Sequence, residues 1–139
     1  MTLDDIRADF ALLDDWEDRY RYVIELGRAL PTFPEALRTD ANKVRGCASQ
    51  VWLVVDTPPD AGTDTLYFRG ESDAHIVQGL IAILRAIYSG QAVRTVLDTD
   101  ALEIFTQLGL SDHLTPQRSN GLKSMIKRIR AEAQIRIAN

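Results

Sequence analysis

Cys47 is the one cysteine among 139 residues, and it stands between Gly46 and a run, Ser49-Gln50-Val51-Trp52-Leu53-Val54-Val55, that reads as a strand. Free cysteine commonly behaves as a small buried hydrophobe, so it is placement that singles this one out. Gly46 takes backbone conformations closed to other residues and permits a tight turn holding the next side chain outward. Trp52 and the valines would anchor a strand beneath it, and a mobile tip on a stiff base is a common way to present a reactive group. The thiolate is the working species, and an unperturbed thiol of pKa about 8.5 is only a few per cent ionised at neutral pH. Lys43 and Arg45 close in sequence, exposed loop amides, and Arg118 if the fold brings it near are the groups able to assist it.

Other chemistries fit less well. A hydrolytic cysteine wants an adjacent general base and a partner to orient it, and His75 and His113 are the two imidazoles in the chain. His75 falls in the first turn of an expected helix and His113 in a loop between Asp112 and Leu114; a surface or capping role is the simpler reading of both. One cysteine and two distant histidines provide no CxxC or HxxxH pair, so no metal site is expected. No glycine-rich loop precedes a helix in a phosphate- or dinucleotide-binding pattern, and no cofactor is expected. One thiol without a cofactor suits a covalent carrier. A cysteine-nucleophile hydrolase or transferase, marked by a Cys47–imidazole hydrogen bond, stays open beside it. So does a non-catalytic interaction domain with an inert Cys47.

Composition sets the frame. With 45% hydrophobic and 26% charged residues the chain has ordinary globular usage, and its length suits a single domain over residues 1–139. A single cysteine allows no internal disulfide, and the apolar stretches are too short and interrupted to cross a bilayer. Met1-Thr2-Leu3-Asp4-Asp5 carries acid where a secretory signal carries base, so a cytoplasmic protein without membrane association is expected. A net charge of −4 disfavours nucleic acid as partner, because phosphate contacts need clustered positive charge. Acid is concentrated in the first segment, from Asp4 to Asp18, and base in the last, from Lys123 to Arg136. Such faces are ordinarily solvated.

The elements follow from periodicity. Thr2 and Asp5 resemble a capping pair ahead of Leu3, Ile6, Phe10 and Leu13 at helical spacing. Asp14 or Asp15 is a suitable cap for a second helix with the stripe Trp16, Tyr20, Val23, Ile24 and Leu30, ended by Pro31. Ser49–Asp56 and Thr65–Arg69 read as strands that pair across a Pro/Gly turn, and Lys43-Val44-Arg45 as a short extra strand. Ser72 would cap a central helix from Asp73 to Tyr88, so dense in apolar residues that most of its circumference must be buried, closed by Ser89-Gly90. Shorter helices are expected near 92–97 and 101–108, and a last amphipathic one over 120–137 after Thr115-Pro116. The class is α+β: a small antiparallel sheet of about three strands packed against several helices.

Four collinear blocks then carry a resemblance. They are residues 16–27 (WEDRYRYVIELG), 44–52 (VRGCASQVW), 72–80 (SDAHIVQGL) and 113–122 (HLTPQRSNGL). Together they resemble the SufE family of sulfur-acceptor proteins over nearly the whole chain, with Ala48 where members often carry glutamine. The resemblance implies a fold shared with IscU-type scaffolds. It implies that Cys47 accepts persulfide sulfur from a SufS-type, pyridoxal-phosphate-dependent cysteine desulfurase, stimulates that enzyme, and delivers the sulfur to a SufBCD-type iron–sulfur scaffold. The pyridoxal phosphate belongs to the partner, and the chain is an accessory carrier rather than an enzyme. Gly46, by its own backbone freedom, is the supporting residue of the acceptor loop; carried over by position, Arg118 matches an arginine that members place close to that loop, whose fixed charge could favour thiolate and persulfide anions. A structural ion pair or helix-start contact is the other reading of Arg118. A homodimer stays open.

Overall fold

The computed structural model describes residues 1–62 and 64–138. It contains helices α1 (Leu3–Leu12), α2 (Trp16–Arg28), α3 (His75–Tyr88), α4 (Val93–Asp98), α5 (Ala101–Gln107) and α6 (Pro116–Ala138), and strands β1 (Val51–Val55), β2 (Thr65–Leu66), β3 (Phe68–Ser72) and β4 (Gln91–Ala92). The α+β class is as the sequence indicates. Thr2 and Asp5 form a reciprocal capping box at the start of α1, which satisfies two of the backbone amides that a helix start leaves unpaired.

The α3 helix is the centre of the molecule. Leu80, Ile81, Ile83, Leu84 and Tyr88 are fully buried, and α2 crosses α3 at glycine. A Cβ on Gly27 would come within 2.6 Å of the Gly79 amide nitrogen, and one on Gly79 would overlap the Val23 carbonyl. This close approach centres the buried face of α2 on Val23, Leu26 and Gly27. Tyr20, expected in the stripe, consequently lies beyond the contact and is exposed. On the other side of α3, Gly70 of β3 lets the sheet close on Ile81.

Strand pairing keeps the expected antiparallel hairpin only at Phe68 and Arg69, which stand opposite Val55 and Val54. β1 pairs antiparallel with β3, Val51 opposite Ser72 and Val55 opposite Phe68. Thr65 and Leu66 pair with Ala92 and Gln91 instead. The chain changes partner at Tyr67, where the Thr57 hydroxyl oxygen accepts the Tyr67 amide at 3.0 Å and the Tyr67 carbonyl accepts the Asp56 amide at 2.9 Å. The extra strand over 43–45 contracts to one bridge, Lys43 opposite Trp52, with Val44 donating to the Val51 carbonyl at 2.8 Å.

Two helix starts also move. Ser72 ends β3 rather than capping α3 directly, and its hydroxyl oxygen accepts the Ala74 amide at 3.2 Å, so α3 begins at His75. The last helix starts earlier than residue 120. Thr115 Oγ1 accepts the Arg118 amide at 3.2 Å, with Pro116 as the first helical residue, a cap and first-turn proline in their favoured places. Arg118 is therefore in the first turn of α6, not in a loop.

Gly79→Ala tests the helix crossing. Overpacking of about 2–3 kcal/mol should exceed the gain of about 1 kcal/mol in helix propensity. The urea midpoint should fall with the unfolding slope unchanged; an unaltered midpoint would show that the α2–α3 contact is looser than described.

Candidate functional site

Cys47 sits at the tip of the segment that joins the Lys43 bridge to β1. Gly46 precedes it with φ +89°, a left-handed conformation that a residue bearing a Cβ adopts only at a cost. A Cβ there would also lie 2.5 Å from Ser124 Oγ on α6. Gly46 thus does what the sequence assigns to it, but the turn directs Cys47 against α6 rather than outward. The thiol is half-buried, and Sγ lies 3.6 Å from the carbonyl oxygen of Gly121, to which its S–H donates weakly. Arg45 and Gly46 form a turn, and among the described residues no backbone–backbone hydrogen bond ties residues 45–49 to another element, whereas both flanks are fixed. Val44 is tied to Val51, while Gln50 exchanges bonds with Asp73, whose carboxylate accepts the Gln50 amide at 3.0 Å.

Beside the thiol lies a cavity of about 220 Å³. Its floor is apolar: Val51 from β1, Val77 and Leu80 from α3, and Leu122 and Met125 from α6. Its mouth is polar, with Ser49, Thr115, Gln117 and Arg118. Cys47 and Arg118, distant in sequence, therefore line one cavity. The Arg118 side chain makes no ion pair or hydrogen bond among the described residues, and its helix-start contact is made by its backbone amide alone. Lys43 and Arg45 do not line the cavity.

The electrostatics run opposite to the sequence expectation. Burial against the apolar floor pushes the Cys47 thiol above its ordinary range, since desolvation disfavours the charged form. None of the neighbouring cations offsets that shift. The folded chain in isolation therefore keeps the thiol protonated, which makes it a poor nucleophile until its surroundings change.

Neither histidine lines the cavity. His113 is stacked on Trp16 with ring centroids 3.5 Å apart and an interplanar angle of 19°, and His75 is the exposed first residue of α3. The Cys47–imidazole contact that a hydrolase would need is absent among the described residues. No group of three His, Cys, Asp or Glu residues is placed to hold a metal among them, and no helix is long and apolar enough to cross a membrane. Sequence reasoning missed Gly121 and Ser124, which seat the loop. The available signal was a glycine, Gly121, set inside an otherwise amphipathic helix, where it is disfavoured unless close contact requires it.

Both the sequence and the fold of this chain have known counterparts. Residues 4–133 match the family model described as a SufE, Fe-S metabolism associated domain. An uncharacterized SufE-like protein of Rhizobium meliloti is 59% identical over 136 residues, which cover 98% of this chain and 97% of the relative. A second, from Rhizobium etli, is 58% identical over 137 residues, covering 99% and 93%. The solution structure of a hypothetical protein from Thermus thermophilus shares the fold, with a TM-score of 0.77 over 100% of both chains at 19% identity. The chain belongs to the SufE family, and with it to the proteins associated with iron–sulfur metabolism.

The raised thiol gives a prediction with a definite sign. Reaction of Cys47 with iodoacetamide should titrate with an apparent pKa above the value near 8.5 expected of the denatured chain. Because the folded state holds the proton where the unfolded state has lost it, folding stability should decline as pH climbs above about 8.5. Cys47→Ser should remove that part of the decline. Coincident titrations for folded and denatured chain would show that Sγ is not desolvated.

Proposed function

We propose that this protein is a cytoplasmic sulfur acceptor, a single domain over residues 1–139, and an activator of a SufS-type cysteine desulfurase rather than an enzyme itself. Cys47 receives the sulfur and passes it to a SufBCD-type iron–sulfur scaffold. The observation that carries this reading is the placement of the sole thiol beside Arg118, on a loop over an apolar cavity, in a chain of the SufE family. In the transfer, Cys47 thiolate attacks the outer sulfur of the donor's cysteine persulfide. The new bond joins Cys47 Sγ to that sulfur, the donor's sulfur–sulfur bond breaks, and the donor cysteine leaves as thiolate. One thiol suffices, and no cofactor is needed on this chain.

The raised thiol pKa fits a carrier that is idle between encounters. Ionisation requires the thiol to leave its apolar floor or a cation to come closer. Arg118 is the side chain that supports this step: a guanidinium at the cavity mouth, without an ion pair or side-chain hydrogen bond among the described residues, attracts thiolate and persulfide anions. Gly46 contributes the turn.

The test is direct. The protein is incubated with a cysteine desulfurase and free cysteine and its intact and peptide masses are taken without reductant. Mass added in units of one sulfur should appear on the Cys47 peptide and vanish in Cys47→Ser. An unmodified Cys47 beside an active desulfurase from the same source would sink the reading. Arg118→Ala should slow sulfur acceptance by roughly tenfold, the scale of one charge-assisted contact, with an unchanged circular-dichroism spectrum. Loss of folding instead would make Arg118 structural.

A further inference from the structure

The segment that carries Cys47 lies along one stripe of α6. Cys47 faces Gly121 and Gly46 faces Ser124. Further along the helix Arg128 reaches the root of the same segment. Its Nη2 donates to the Ala41 carbonyl at 2.8 Å and its Nη1 to the Lys43 carbonyl at 3.3 Å, while Nε faces Glu132 Oε1 at 3.4 Å. Gly121, Ser124 and Arg128 stand at i, i+3 and i+7 and so share a helix face. Residues 41–47 run antiparallel to that face.

The root is also joined to the sheet, through Val44 to the Val51 carbonyl and Leu53 to the Asn42 carbonyl at 2.9 Å. Those bonds fix it relative to β1. Among the described residues, the hydrogen bonds from α6 to residues 41–44 are the two made by Arg128. The α6 helix is also the element that brings Arg118, Gly121, Leu122 and Met125 to the thiol. Arg128 is thus the side chain that hydrogen-bonds the root of the Cys47 segment to α6.

We propose that Arg128 is a positioning residue for the thiol: its guanidinium, held by Glu132, sets the register of the Cys47 segment on α6 and so places Sγ against Gly121 beside Arg118. The inference rests on the sulfur-acceptor reading for its purpose, though not for its geometry. A planar fork that spans two carbonyls is what the job needs, and an ammonium, a point donor on a flexible stem, reproduces it only in part.

The experiment compares wild type, Arg128→Met and Arg128→Lys, each as the full chain. The first readout is alkylation of Cys47, the sole thiol, by iodoacetamide across pH. Arg128→Met should react about tenfold faster near neutral pH, the loss expected for one charge-assisted hydrogen bond. Its apparent thiol pKa should fall toward that of the denatured chain, and Arg128→Lys should lie between. The second readout is sulfur acceptance from a desulfurase persulfide at subsaturating donor, which should fall in Arg128→Met. A folded Arg128→Met with wild-type alkylation rate and titration overturns the proposal, as does faster alkylation with unaltered sulfur acceptance. If Arg128→Met does not fold, Arg128→Lys decides by the same readouts. A wild-type chain that takes no sulfur overturns the proposed function, and alkylation still decides whether Arg128 seats the loop.

Discussion

The packing of α3 is the constraint on which the rest of the molecule depends. One face must accept α2 at backbone distance, through Gly27, Gly79 and Val23, and another must accept the sheet at Gly70. These close approaches leave little freedom in how α3 lies. Because α3 also supplies Val77 and Leu80 to the floor beneath Cys47, the helix crossing at Gly79 bears on the shape of the cavity.

Two opposed demands meet at Cys47. Nucleophilic work requires an ionised sulfur, and burial against valine, leucine and methionine opposes ionisation. The polar mouth carries the cation and the apolar floor carries the desolvation, so the state of the thiol depends on which of the two it faces. In the free chain the floor prevails.

The sequence made some of this legible and hid the rest for physical reasons. Local rules read well where the outcome is local. The Thr2–Asp5 capping box, the nearly enveloped α3 and the glycine turn before Cys47 all follow from spacing and residue type. Strand partnership followed only at Phe68 and Arg69, because the switch at Tyr67 depends on Thr57 reaching across a turn to take its amide. The start of α6 was misplaced because Thr115 and Pro116 read as a breaker before a helix rather than its cap and first residue. The largest gap concerned the thiol. Lys43 and Arg45 adjoin it in sequence and Arg118 shares its cavity, yet the shift is upward, since burial is a property of the tertiary structure. The convergence of Cys47 and Arg118 came from family resemblance; nothing in spacing alone joins residues so far apart.

The segment over 45–49, whose backbone is tied to no other element among the described residues, has a geometrical consequence of its own. Its ends lie side by side, because Val44 is bonded to Val51, so the segment is a closed noose rather than a span. A noose of that contour, drawn taut, carries its apex about 10 Å from its knot. That contour sets an upper bound, comparable with the thickness of a helix, on the distance from the knot at which the thiol can stand while the ladder of β1 and β3 keeps every hydrogen bond. Reach and rigidity are assigned to different residues, and extending one does not draw on the other.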